Sequence, residues 1–162
     1  MGAGKYLSIL AGIITLISTF ILSWVAVDDG GTIYYAYGIG IIKNIVNMFT
    51  NADALGVTLG VPTFAIYIIA GLLIWFLSAG FTQLAGVKSR ASAIIGSIMP
   101  LLIGGIILFF SFSAIPAEWV VNIVGDSVPL IDGIIPFNFA IAGRPESIGT
   151  YLLLLGGITV FA

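Results

Sequence analysis

The chain has 162 residues, 60% of them hydrophobic and 7% charged, with a mean hydropathy of +1.22; an ordinary soluble domain carries about 25% charged residues. That composition excludes a soluble globular fold and predicts an all-α integral membrane protein. The absence of cysteine and histidine excludes thiol and Ser–His–Asp catalysis, histidine-held metals and disulfide-stapled loops, and the few basic residues form no patch for nucleic acid.

A helix needs about 20 mostly apolar residues to cross ~30 Å of hydrocarbon. Runs at about 7–27, 62–87, 91–115 and 148–162 meet or approach that length. Residues 1–162 therefore read as one domain, a four-transmembrane-helix bundle with ordered outer segments at about 28–61 and 116–147.

The first run exceeds the roughly 7–15 apolar residues of a secretory signal, and no A-x-A-like site precedes Asp28, so it reads as a retained span. It ends at Ser23-Trp24, where a tryptophan suits headgroup depth. Asp28-Asp29-Gly30-Gly31 then supplies turn chemistry between Trp24 to Val27 and Thr32 to Tyr37. This stretch reads either as a β-hairpin or as a helix continuing through Val27 to the membrane surface. Asp28-Asp29 is also the best carboxylate pair for a weakly held cation, although acids in a Gly-rich turn are more commonly solvated. From Ile39 to Asn51 polar residues recur at three and four, which predicts an amphipathic helix lying in the interface or packing on the other outer segment.

Only Gly86 to Arg90 separates the second and third spans, so these are antiparallel neighbours. Pro116 to Ser147 is broken by glycines and prolines. A short amphipathic piece, Glu118 to Val124, and a strand-like alternation, Phe137 to Ile141, fit between the breaks; the latter is a candidate partner for Tyr34 to Tyr37 in a small sheet. The last run, Ile148 to Ala162, has 15 residues and reaches about 22 Å at 1.5 Å per residue, so either the chain continues beyond it, which is the expectation, or the membrane thins there.

Lys5, Lys88 and Arg90 fall on one side of this plan, while Lys43, Arg144 and all seven acidic residues fall on the other. By the positive-inside rule both termini are cytoplasmic and the two long segments face outward from the cytoplasmic or plasma membrane.

Each span repeats a small pair: Ala11-Gly12, Ala70-Gly71, Gly104-Gly105 and Gly156-Gly157. In lipid, helices associate through close backbone approach at small residues, so Gly12, Gly71, Gly104, Gly105, Gly156 and Gly157 are expected at helix contacts. Ser8, Gly12, Thr15, Thr19 and Ser23 form a stripe at helical spacing, with Thr15 and Thr19 placed to bond a neighbouring backbone. Trp24, Tyr34, Tyr37, Trp119, Phe137 and Phe139 are the candidate outer-segment contacts, because that side is too apolar for solvated loops.

Trp24 just past the first span, and Tyr37-Gly38-Ile39 standing where the family has Gly-Leu-Trp, carry a resemblance to the claudin and peripheral myelin protein superfamily. The family's paired loop cysteines are missing here. The resemblance implies lateral assembly through the outer loops. The expected function is thus a non-enzymatic assembly subunit that needs no cofactor. Its expected partners are membrane lipids and copies of itself or a larger membrane complex, with no nucleic acid. The alternative is a small channel or transporter component for an uncharged or weakly polar solute, lined by Thr15, Thr19 and Ser23.

Overall fold

The computed structural model describes residues 3–111, 117–131, 133–139, 141 and 144–161. The first helix, α1, spans Ala3–Phe20 and stops seven residues short of the expected end at Val27. Beyond it Val25–Asp29 forms β1 and Thr32–Ala36 forms β2, paired antiparallel with Asp29 opposite Thr32. The hairpin therefore replaces the continued helix. Its two-residue loop is Gly30-Gly31, with φ of 63° and 94°, the double positive φ that suits a type I′ turn and that a Cβ disfavours. Asp28 accepts a hydrogen bond from the Gly31 amide at 2.8 Å, so it serves the turn. Among the described residues no group of three or more acids could hold a metal.

The amphipathic helix α2 runs over Gly38–Thr50. Its polar edge lies on the second outer segment: Asn44 Nδ2 donates to the carbonyls of Asn122 and Ile123 at 2.5 and 3.2 Å, and Lys43 pairs with Asp126 at 2.5 Å. Packing on the other segment, rather than lying free in the interface, is its observed place. A helix not anticipated from sequence, α3 (Ala52–Leu59), follows a break at Asn51. Asp53 sits in its first turn, where the helix dipole favours a carboxylate, and accepts a hydrogen bond from Thr63 Oγ1 at 2.6 Å. That bond ties α3 to the start of α4 (Thr63–Ala85).

After α4 comes α5 (Arg90–Ser111), which contains Pro100; the rest of the expected third span, 112–115, lies outside the described residues. A short helix α6 (Ala117–Trp119) continues as a π-helical turn, Val120–Val124, and then as the two-residue β3, Gly125–Asp126. The last helix, α7, is Ile148–Thr159.

The sheet order is β1-β2-β3, so the expected third strand is corrected. Tyr35 and Ala36 pair with Asp126 and Gly125, not with the segment at Phe137. The reason lies at the end of α1, whose last backbone groups have no further helical partner. Phe137 supplies one, donating its N–H to the Ile21 carbonyl at 2.9 Å and accepting from Ser23 N–H at 3.0 Å. It bridges Leu22 in parallel and is not available to β2.

α1, α4 and α5 are long and apolar enough to cross a membrane. α7 packs with them but has 12 residues, about 18 Å at 1.5 Å per residue. The four pack in a ring, α1 against α4 and α7, and α5 against the same two. The hairpin, α2, α3, α6 and the π-turn form a cap at one end. One buried cluster runs through both, from Trp24, Ala36, Ile41 and Ile123 in the cap to Phe76, Met99 and Leu153 in the helices.

Candidate functional site

The junction of cap and bundle is built around two residues, Ser23 and Trp24. The Trp24 ring is 1% exposed, meets Phe76 edge-on with centroids 4.9 Å apart, and donates its indole N–H to the Ser18 carbonyl at 2.8 Å. The ring therefore faces the protein interior and not the headgroups. A buried indole needs an acceptor, and the carbonyls freed where α1 ends provide one. Tyr37 is likewise fully buried, so neither residue is available as an outer contact. Burial pushes the Tyr37 phenol up, and the nearby Asp126 carboxylate adds to this against the opposing Lys43.

The chain entering α7 closes the junction from the other side. Ala26 N–H donates to the Pro145 carbonyl at 2.9 Å, and Ser147 N–H and Thr150 Oγ1 both donate to the Trp24 carbonyl, at 2.7 and 2.6 Å. Ser23 Oγ contacts Asn138 Oδ1 at 3.0 Å and Ser147 Oγ at 3.2 Å, and Ser147 Oγ donates to the Ser23 carbonyl. The missed signal was Ser147-x-x-Thr150, two hydroxyls that fall on the N-cap and in the first turn of α7.

Beside these lies Glu146, buried completely. Its Oε1 accepts from Arg144 Nη1 at 3.1 Å and from Tyr151 OH at 3.3 Å. Burial pushes the carboxyl up, but hydrogen bonds from Ser111 and from the Glu146 backbone amide, with the Arg144 guanidinium, outweigh it and hold Glu146 below the ordinary carboxylate range. A folded pKa below the unfolded value of about 4.3 stabilises the fold above that pH, and the contribution disappears as pH falls through the lower folded value. Thermal unfolding in detergent across pH 6 to roughly 3 is expected to show this loss, and Glu146→Gln to flatten it. An unchanged pH profile in the variant would mean that another acid governs the effect.

The helix seams carry the small residues. A Cβ on Gly12 would stand 2.6 Å from Leu84 Cγ and 3.0 Å from the Gly80 carbonyl, and one on Gly80 would meet Leu16 at 2.6 Å. On α7, Gly156 abuts Thr15, Gly157 abuts Leu101, and Gly104 of α5 abuts Leu154. Gly71 and Gly105 are corrected: among the described residues nothing comes within 4 Å of a Cβ placed at either. Successive side chains on a helix diverge by about 100°, so Ala70 and Gly104 point inward and their neighbours outward.

Thr15 and Thr19 are buried at these seams, yet their hydroxyls have no partner among the described residues. The expected bonds to neighbouring backbone are not made. The polar node of the bundle is instead Gln83, fully buried, whose Nε2 donates to Ser97 Oγ at 3.1 Å and to the Gly156 carbonyl at 3.3 Å. Its sequence signal was plain, as the single carboxamide of α4.

No family model, curated protein or solved structure matches this chain. The arrangement must be read from its own chemistry. Of the candidate outer contacts, Trp24 and Tyr37 are core, Tyr34 and Trp119 are half-buried, and Phe137 and Phe139 are exposed at 42% and 54%. The last two stack with centroids 6.3 Å apart. Val128, Leu130, Ile131 and Ile134 on the same segment are also exposed.

Proposed function

We propose that the chain is a non-enzymatic membrane protein, a four-span subunit with cytoplasmic termini, that associates laterally with copies of itself through the apolar face of its outer cap. The observation that supports this is the segment 128–139, which presents Val128, Leu130, Ile131, Ile134, Phe137 and Phe139 outside the packed fold. Large apolar side chains exposed together at a membrane surface favour burial against a partner, and aromatic residues are the commonest anchors of such contacts. Lateral assembly is also what the claudin-like resemblance implies. The solute-path reading has less support, because Thr15, Thr19 and Ser23 are packed into helix and cap contacts.

The chain has no cysteine, so Phe139→Cys introduces a unique thiol. Oxidation in native membranes is expected to give a covalent dimer, and Phe137→Ser with Phe139→Ser to shift the particle in mild detergent to the size of a monomer. A wild-type particle that is monomeric in both settings, with no cross-link, would sink the proposal; a cross-link only to a different chain would replace self-association by a hetero-complex.

A further inference from the structure

Beneath the cap, between α4 and α5, lies a cavity of about 520 Å3. Its inner wall is buried: Trp24, Val25, Met99, Val120 and Ile123 are each 1–3% exposed. Its rim is formed by Leu72 of α4 and Leu102, Ile106 and Phe110 of α5, all 38–44% exposed. Both helices are long and apolar enough to cross a membrane. The mouth therefore opens sideways, at the depth of the spans, toward hydrocarbon.

We infer that this cavity holds one hydrocarbon chain of a surrounding bilayer lipid, inserted between α4 and α5 beneath the cap. The lining excludes the other occupants. A buried water needs two to four polar partners, and the lining side chains are aliphatic or aromatic. The N–H of Trp24 already donates to the Ser18 carbonyl. No charged side chain lines the space, so a headgroup has nothing to bind inside. A void would deprive the lining atoms of dispersion contacts, in an interior otherwise packed near a density of about 0.75. The volume lies in the roughly 300–1,000 Å3 range of sites that take small organic ligands. An alkyl chain is the one apolar species abundant at the mouth. Once seated, it bridges the spans to the roof made by β1, β2 and the π-turn. The inference depends on membrane insertion and stands whether or not the chain self-associates.

The test uses Trp24 as the reporter, in the full chain carrying Trp75→Phe and Trp119→Phe. In vesicles of phosphatidylcholine brominated on its acyl chains, bromine quenches an indole across several ångströms, so a chain seated in the cavity, whose lining includes Trp24, quenches it more strongly than bulk lipid beyond the rim. The expected result is loss of most of the Trp24 emission relative to unbrominated vesicles, and its recovery when Ile103→Phe and Val124→Phe fill the space. Equal emission in the two kinds of vesicle, or quenching undiminished in a filled variant that keeps its helical circular dichroism, overturns the inference. Should the filled variant not fold, mass spectrometry of the unmodified protein released from mild detergent decides. One retained lipid that exchanges for its brominated counterpart supports the site, and a lipid-free protein overturns it.

Discussion

Trp24→Ala is expected to destabilise the fold by about 3–5 kcal/mol, the range for removing a fully buried large aromatic side chain. Three losses combine at this position. The indole is 1% exposed and sits where cap and bundle share one core, so its removal leaves a cavity that the surrounding helices cannot close without separating from the sheet. The edge-on contact with Phe76 disappears. The Ser18 carbonyl at the end of α1 loses the donor that satisfies it. Trp24→Phe separates these terms: it keeps a ring against Phe76 and forfeits the N–H, for which about 1 kcal/mol is expected. Reversible unfolding in mixed micelles, followed by circular dichroism, measures both. Equal effects of the two variants would show that the hydrogen bond, not the packing, dominates.

The second large effect belongs to Gly149, at the start of α7. A Cβ there would fall on the Ser23 carbonyl oxygen, with the Ser23 carbonyl carbon at 3.0 Å and Leu22 Cβ at 3.2 Å. These are mostly backbone atoms, which cannot turn aside as the end of a side chain can. Gly149→Ala is therefore expected to cost about 1–3 kcal/mol by overpacking, and to loosen the bonds that Ser147 and Thr150 make to the Trp24 carbonyl. Gly71→Ala and Gly105→Ala should move the other way. Each adds a methyl into space where nothing lies within 4 Å among the described residues, and alanine is favoured over glycine in a helix interior by about 0.5–1 kcal/mol. The same unfolding measurement tests all three. Loss of stability in Gly105→Ala within native membranes, but not in detergent, would place that face against another copy of the chain.

The local features were legible because their causes are local. The Gly30-Gly31 turn between β-branched and aromatic runs announced a hairpin as one of two readings. The polar spacing of Lys43, Asn44 and Asn47 announced α2 almost to the residue. By contrast α3 was missed: eight residues are too few for a periodic pattern, and what holds it is tertiary, the burial of Ala52, Leu55 and Leu59 in the common core together with the bond from Thr63 to Asp53. The alternation at Phe137 to Ile141 was read as a strand for β2, but the unsatisfied carbonyl of Ile21 and amide of Ser23 draw Phe137 to the end of α1. The sheet's real third strand, Gly125–Asp126, has no β-propensity to advertise it. It pairs because the π-turn before it and the Lys43–Asp126 bond deliver it to β2.

From the residues alone one can determine that the chain is apolar enough for a membrane and that its four apolar runs are helical; the structure makes three of them helices long and apolar enough to cross and the fourth a shorter one. In hydrocarbon every backbone polar group must be satisfied within its own segment, and that requirement acts on each apolar run separately. Only the tertiary structure decides which member of each small pair meets a neighbour, that Trp24 is buried under the cap, and that the buried Glu146 carboxylate meets Arg144 and Tyr151. Those outcomes depend on the rotation of each helix about its axis and on where one segment's unsatisfied groups find partners in another. A one-residue step turns a side chain by about 100°, so Gly104 packs against α7 while Gly105, with the same sequence surroundings, faces outward.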